Sequence, residues 1–280
     1  AGTETLNQAQ QSAIQGQPVF DVTVLADGAP VSMPGGKLTV TVPYALAEGR
    51  EPGGVVVSYL DEQGQLADCP TAYDAAAETV TFTPAHLSLY VVRYDALRLW
   101  TNPFTDVSED DWYYDAVRYV NAGDLMTGIS SATFAPGVTT SRAMLATLLY
   151  RLDGAPDLSG ENLGYPYADV EADSWYGDGV YWARLHGVVT GVTGEIFDPN
   201  GDITREQMAV MLYRYAQYKD YDVTGSADLS GYADADSVSS WAQYAVAWAV
   251  DAGLISGVGN NTLNPQGSAT RAEIATILMR

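Results

Sequence analysis

Two hydrophobic periods divide the chain. In the first hundred residues, apolar positions alternate with polar ones or form short runs: Val19 to Leu25, Lys37 to Val42, Val55 to Leu60, Thr79 to Thr83 and Leu89 to Val92. The runs are rich in Val, Thr and Tyr and stop at turn-forming residues, namely Asp27-Gly28, Pro43, Asp61-Glu62-Gln63-Gly64 and Pro84. This pattern predicts short strands joined by turns and, taken together, a small Ig-like β-sandwich over residues 1–98. From residue 99 to 280 the apolar spacing becomes helical. The expected fold is therefore multidomain, an all-β module followed by an all-α region.

The helical region repeats itself. Three openings, Phe104-Thr105-Asp106, Tyr167-Ala168-Asp169 and Tyr232-Ala233-Asp234, lie 63 and 65 residues apart. Trp112, Trp175 and Trp241 each stand 16 residues before Gly128, Gly191 and Gly257, which stand 14 before Arg142, Arg205 and Arg271. A second arginine follows nine residues later (Arg151, Arg214, Arg280), and a proline precedes each first arginine by six (Pro136, Pro199, Pro265). The copies cover about 103–152, 166–218 and 231–280, with polar linkers from Asp153 to Tyr165 and from Lys219 to Gly231.

Each copy reads as helix, loop, helix. The first helix starts near the Trp and presents one face of mixed size: Ala116, Tyr119 and Gly123; Gly179, Trp182 and His186; Ala245, Trp248 and Ala252. Gly187 and Gly253 are expected to end two of these helices in the left-handed conformation. Asp124 holds that place in the first copy, so an altered helix end is expected there. The second helix opens at an N-cap residue, Ser141, Thr204 or Thr270. Gln207 and Glu273 complete a capping box, and Met144 does not. Leu145, Leu148 and Leu149, Met208, Met211 and Leu212, and Ile274, Ile277 and Leu278 form the buried stripes.

Charge and composition narrow the function. With 35 acids against 13 bases, the net charge is −22. That surface opposes nucleic-acid binding, which rests on phosphate neutralisation, and docking on anionic lipid. No stretch is long and apolar enough to span a bilayer. The start of the chain is not expected to be a secretory leader, since Ala1 to Gln17 is polar without a basic start. Cys69 is the only cysteine and the two histidines are far apart, so neither an intrachain disulfide nor a Cys- or His-based metal site is expected. His86 and Ser88 form no evident catalytic set, because no third orienting group accompanies them.

One residue type is left unexplained by capping. Arg142, Arg205 and Arg271 place a cation in the first helical turn, the positive end of the dipole. Two readings remain open: an ion pair inside the copy with Asp106, Asp169 or Asp234, or an anion site in which a helix N-terminus and a guanidinium hold a carboxylate together. The Trp residues read as core first and as ligand contacts second.

The openings, the Trp residues, the loop glycines and the tetrads resemble the S-layer homology family. The tetrad is intact as Thr270-Arg271-Ala272-Glu273 and drifts to Thr204-Arg205-Glu206-Gln207 and Ser141-Arg142-Ala143-Met144. The resemblance covers about residues 103–280. It implies a pseudo-threefold assembly of three copies that binds secondary cell-wall polysaccharide, often pyruvylated, in grooves between copies. By that resemblance Arg142, Arg205 and Arg271 meet the carboxylate. Asp106, Asp169, Asp234, Trp112, Trp175, Trp241, Gly128, Gly191 and Gly257 line the grooves. The groove of Met144 is the weakest match.

The expected protein is thus extracellular, held at a bacterial cell wall or S-layer without covalent attachment, not an enzyme, and independent of cofactors and metals. The alternative is a surface scaffold that self-associates, with or without calcium held by Glu109-Asp110-Asp111, Asp169, Glu171 and Asp173, or Asp234 and Asp236. A third reading, a glycan hydrolase with paired carboxylates, suits a site repeated three times less well.

Overall fold

The structure is a computed structural model that describes residues 6–14, 16–27, 29–30, 38–161 and 167–280. Lys37, Gly28 and the linker stretch 162–165 named above lie outside the described residues. The chain divides into two compact units, Ala1–Thr101 and Asn102–Arg280. Strands occupy the first and helices the second.

In the first unit, a four-stranded sheet runs β1 (Val19–Asp21), β9 (Leu89–Tyr94), β5 (Val55–Leu60), β6 (Leu66–Cys69). A three-stranded sheet runs β4 (Val40–Pro43), β8 (Thr79–Phe82), β7 (Thr71–Asp74). Their ladders are antiparallel throughout, with Val57 opposite Val92 and Val42 opposite Val80. Val42, Val80 and Phe82 of one sheet share an apolar cluster with Val55, Val57, Tyr90 and Val92 of the other. The opposite face of β5 and β9 is also covered: Leu60 and Val91 pack with Leu6 and with Ile14 of α1 (Gln8–Ile14). Burial on both faces explains why Val55 to Leu60 reads as an unbroken apolar run instead of an alternation.

Three expectations are corrected here. The run Val19 to Leu25 is not one strand: β1 stops at Asp21, and Leu25–Ala26 (β2) pairs with Ala29–Pro30 (β3) in a separate hairpin. Within the polar segment before residue 18, Gln8–Ile14 forms α1. It is fixed by Asn7 and Gln10, which bond each other's backbone amides and reach the carbonyls of Glu62 and Asp61. β6 and β7 were not expected, since their exposed positions carry Asp68, Ala72 and Asp74 and leave little apolar signal.

The second unit holds three helix pairs: α2 (Tyr114–Ala122) with α3 (Arg142–Leu152), α4 (Gly177–Leu185) with α5 (Arg205–Tyr218), and α6 (Gln243–Asp251) with α7 (Arg271–Met279). The strongest packing is between copies. α3 lies on α4, α5 on α6, and α7 on α2. Gly179 sits at the α3–α4 crossing, where a methyl group would come 2.7 Å from the Thr147 Cα. At the centre, three backbone bonds close a cycle: Thr140 N donates to Ala269 O, Ala269 N to Ile203 O, and Ile203 N to Thr140 O. All three residues are fully buried, and the Thr140 hydroxyl stands unpaired among them.

Asp124 corrects another expectation. The first copy's helix end is not altered, for Asp124 adopts φ 55° beside 71° at Gly187 and 69° at Gly253. The closing bonds correspond, with Leu125, Val188 and Leu254 each donating to a carbonyl five residues back. Aspartate tolerates the left-handed region better than most residues. The linkers are also less loose than their composition implies. The side chain of Asp153, which opens the first, is only 7% exposed and accepts from Lys219 Nζ at 2.6 Å and from the Tyr218 hydroxyl at 3.1 Å. The second linker holds a 3₁₀ turn at Leu229–Gly231.

Candidate functional site: grooves shared by three copies

The N-caps behave as the sequence indicates. Ser141, Thr204 and Thr270 side chains accept from the amides of Met144, Gln207 and Glu273, and the reciprocal bond of the capping box exists only in the second and third copies. The remaining first-turn amides turn toward the next copy. Arg142 N and Ala143 N donate to Gly201 O and Pro199 O; Arg205 N and Glu206 N to Gly267 O and Pro265 O; Arg271 N and Ala272 N to Val138 O and Pro136 O. The repeated prolines thus supply carbonyls at each junction.

The tetrad arginines make the same crossing. Each is 6% exposed. Arg142 donates from Nε to Phe197 O at 2.9 Å and from Nη2 to Thr190 O at 3.1 Å. Arg205 reaches Leu263 O at 2.8 Å and Ser256 O at 2.7 Å. Arg271 reaches Phe134 O at 2.8 Å and Thr127 O at 2.6 Å, which brings the third copy back to the first. The guanidiniums of Arg142 and Arg271 also cover the rings of Phe197 and Phe134. Burial lowers the pKa of Arg142 and Arg271 from the ordinary value, opposed by nearby aspartates; both stay charged, as arginine does in proteins.

The first of the two open readings of these arginines is therefore corrected, and the second loses its helix-terminus half. Among the described residues none of them forms an ion pair with the opening Asp of its own copy. The helix N-termini do not offer free amides to an anion, because loop carbonyls of the next copy already accept from them. The opening aspartates instead hold the loop backbone of their own copy. Asp106 accepts from Phe134 N and Ala135 N, Asp169 from Phe197 N and Asp198 N, and Asp234 from Leu263 N and Asn264 N. Phe134, Phe197 and Leu263 are thereby fixed by an Asp on the N–H side and by the previous copy's Arg on the C=O side. At Asp234 burial works against ionisation, but the Leu263 and Asn264 amides outweigh it and hold the pKa below the usual carboxylate range.

The Trp residues are not core. Trp112, Trp175 and Trp241 are 67%, 61% and 58% exposed. Each lies at a groove whose other walls come from two other copies. Trp241 lines a groove of about 350 Å³ with Arg142, Gly191, Gln207 and Arg214. Trp112 lines one of about 540 Å³ with Arg205, Gly257, Glu273 and Arg280. Trp175 lines one of about 270 Å³ with Arg271, Gly128, Met144 and Arg151. In every groove the tetrad Arg belongs to one copy, the Gly and second Arg to the next, and the Trp to the one after. At Gly128 and Gly191 the turn leaves no room for a side chain: a methyl at Gly191 would strike the carbonyls of Thr193 and Ile196.

The structure adds residues that the motif reading left out. The second arginines, noted only for spacing, line the grooves. So do Ile129, Val192 and Val258, each directly after the loop glycine and 63%, 52% and 49% exposed. The recurrence of a β-branched residue at that place was the available signal. Among the described residues, no three acidic, His or Cys side chains come together to hold a metal, and no helix is long and apolar enough to cross a membrane.

Comparison with known proteins matches residues 103–144, 166–209 and 231–275 to the S-layer homology domain. The chain is 28% identical to the amylopullulanase of Thermoanaerobacterium thermosulfurigenes over 93% of its own length and 13% of that protein, a match that extends into the β unit. It is 31% identical to the endoglucanase of Bacillus sp. (strain KSM-635) over 63% of the chain and 18% of the relative. It is 31% identical to the surface-layer 125 kDa protein of Lysinibacillus sphaericus over 64% of the chain and 14% of the relative. The chain spans less than a fifth of the length of these curated relatives.

Proposed function

We propose that this chain, which carries three tandem S-layer homology domains, holds a larger secreted protein on the bacterial wall by gripping anionic cell-wall polysaccharide in its three grooves. S-layer homology domains attach proteins to the cell surface, so the location is extracellular, at the cell surface. The finer reading is a pyruvylated secondary cell-wall glycan. Its support is the groove composition: each groove holds two guanidiniums, which suit a carboxylate, and an exposed indole, whose flat apolar face suits a sugar ring.

The cyclic junctions support a pseudo-threefold assembly, which favours holding over catalysis. Three similar sites on one scaffold gain avidity without new contacts. Relatives named amylopullulanase and endoglucanase, of which the chain matches 13% and 18%, fit a module joined to varied partners. For the first unit we favour an Ig-like sandwich. Tyr90 supports it: its hydroxyl donates to His86 O at 2.8 Å and accepts from His86 N at 3.1 Å, as in the tyrosine corner of such folds.

The test is retention on purified Gram-positive walls before and after mild-acid removal of pyruvyl groups. The variant replaces Trp112, Trp175 and Trp241 with Ala, because these side chains are exposed and the tetrad arginines are structural. Pyruvate-dependent retention lost in that variant is the expected result. Retention indifferent to pyruvate, or none on walls from several hosts, contradicts the reading.

A further inference from the structure

We propose that the groove of Arg142, Gly191, Arg214 and Trp241 is the principal carboxylate site, and that Glu273 closes the groove of Arg205 to anions. This rests on the wall-anchoring reading and ranks the grooves within it.

The three grooves differ at the fourth tetrad position. It is Gln207 in the first-named groove, Met144 in the groove of Arg271 and Glu273 in the groove of Arg205. Glu273 changes the electrostatics. Its Oε1 accepts from Arg205 Nη1 at 2.5 Å while Arg205 Nε and Nη2 hold Leu263 O and Ser256 O. Each nitrogen of the guanidinium then has a partner and its charge is neutralised from within, so an incoming carboxylate meets a like charge. Completeness of the tetrad marks the most self-satisfied groove.

Arg142 has no such internal partner. Among the described residues no acid lies within ion-pair distance of it. Asp198 and Asp169 act on it electrostatically from the loop, but neither lines the groove, and both oxygens of Asp169 are held by backbone amides. The second arginine is also freer here. Arg214 makes a 3.3 Å bond to the Thr190 hydroxyl, whereas Arg151 and Arg280 donate to main-chain carbonyls, Leu125 O and Gly253 O.

The experiment is calorimetric titration of the full chain with a synthetic pyruvyl-ketal hexoside and with its neutral parent. The variants are Arg214→Gln, Arg280→Gln and Glu273→Gln, each checked for an unchanged unfolding midpoint. Arg214→Gln is expected to weaken binding of the ketal about tenfold, and Arg280→Gln by at most about twofold. Glu273→Gln raises the number of sites. Equal losses in both arginine variants, with an unchanged site number in Glu273→Gln, overturn the ranking and leave anchoring intact. If no form binds either sugar, the anchoring reading falls too; equal binding of ketal and neutral parent overturns the carboxylate assignment.

Discussion

The two units solve the same problem by different routes. In the β unit, polar backbone groups pair along ladders between strands, and one apolar cluster between the sheets holds Val57, Phe82, Tyr90 and Val92 fully or almost fully buried. In the helical unit no copy is complete alone. Its second helix packs on the next copy's first helix, and its first-turn amides and arginine find their acceptors there. The β unit depends on apolar area, whereas the helical unit also depends on three buried cations with fixed donor geometry. Removing part of an apolar cluster costs in proportion to what is removed. Removing a cation leaves two carbonyls without that donor at once.

The sharpest way to break this contrast is Arg205→Ala. It strips donors from Leu263 O and Ser256 O and isolates Glu273. The expected loss is about 3–5 kcal/mol, confined to the helical unit. Urea unfolding followed by tryptophan emission reads it well, since of six Trp residues only Trp100 lies in the first unit. Gly179→Ala comes next. Its methyl group would press on the Thr147 backbone and force α3 and α4 apart, at a cost of about 1–3 kcal/mol in the same assay.

Acid offers a third handle. The Asp234 pKa is depressed in the folded state, so its contribution is present above the unfolded carboxylate value of about 3.9 and is lost as pH falls through the folded value. Unfolding midpoints of the helical unit should drop below about pH 4, and the drop should be shallower in Asp234→Asn. The smallest effect is a gain. Met144→Glu gives the first copy the capping box it lacks and should add about 0.5 kcal/mol. It should also weaken any anion binding in the groove of Arg271, where residue 144 stands. A gain in stability without that weakening would separate capping from groove charge.

Much of the helical unit was legible because register survives where residue identity drifts. The N-caps, the two capping boxes and the buried stripes follow from local chemistry, and the structure reproduces them. The arginines, prolines and opening aspartates were visible as a pattern, but the arginines' partners lie in a different copy, so local chemistry assigned them wrongly. An ion pair within the copy was the nearest explanation, and the true acceptors are main-chain carbonyls 48 to 144 residues away. The Trp residues misled for a related reason: each stands at a groove walled by two other copies, which no single repeat encodes. In the β unit, α1 and the strands Leu66–Cys69 and Thr71–Asp74 escaped notice because their stabilising contacts are polar or edge contacts with little apolar periodicity.

The central claim is that three junctions close the helical copies into one cooperative body. Amide hydrogen exchange of Arg142→Gln against the parent chain tests it most directly. Arg142 bridges only the first and second copies. If the ring is one cooperative unit, exchange accelerates by the same factor at Thr140, Ile203 and Ala269, including the third copy that the substitution does not touch. If residues 231–280 keep the protection of the parent chain while the first two copies lose theirs, the copies are separate units and the claim of a single ring fails.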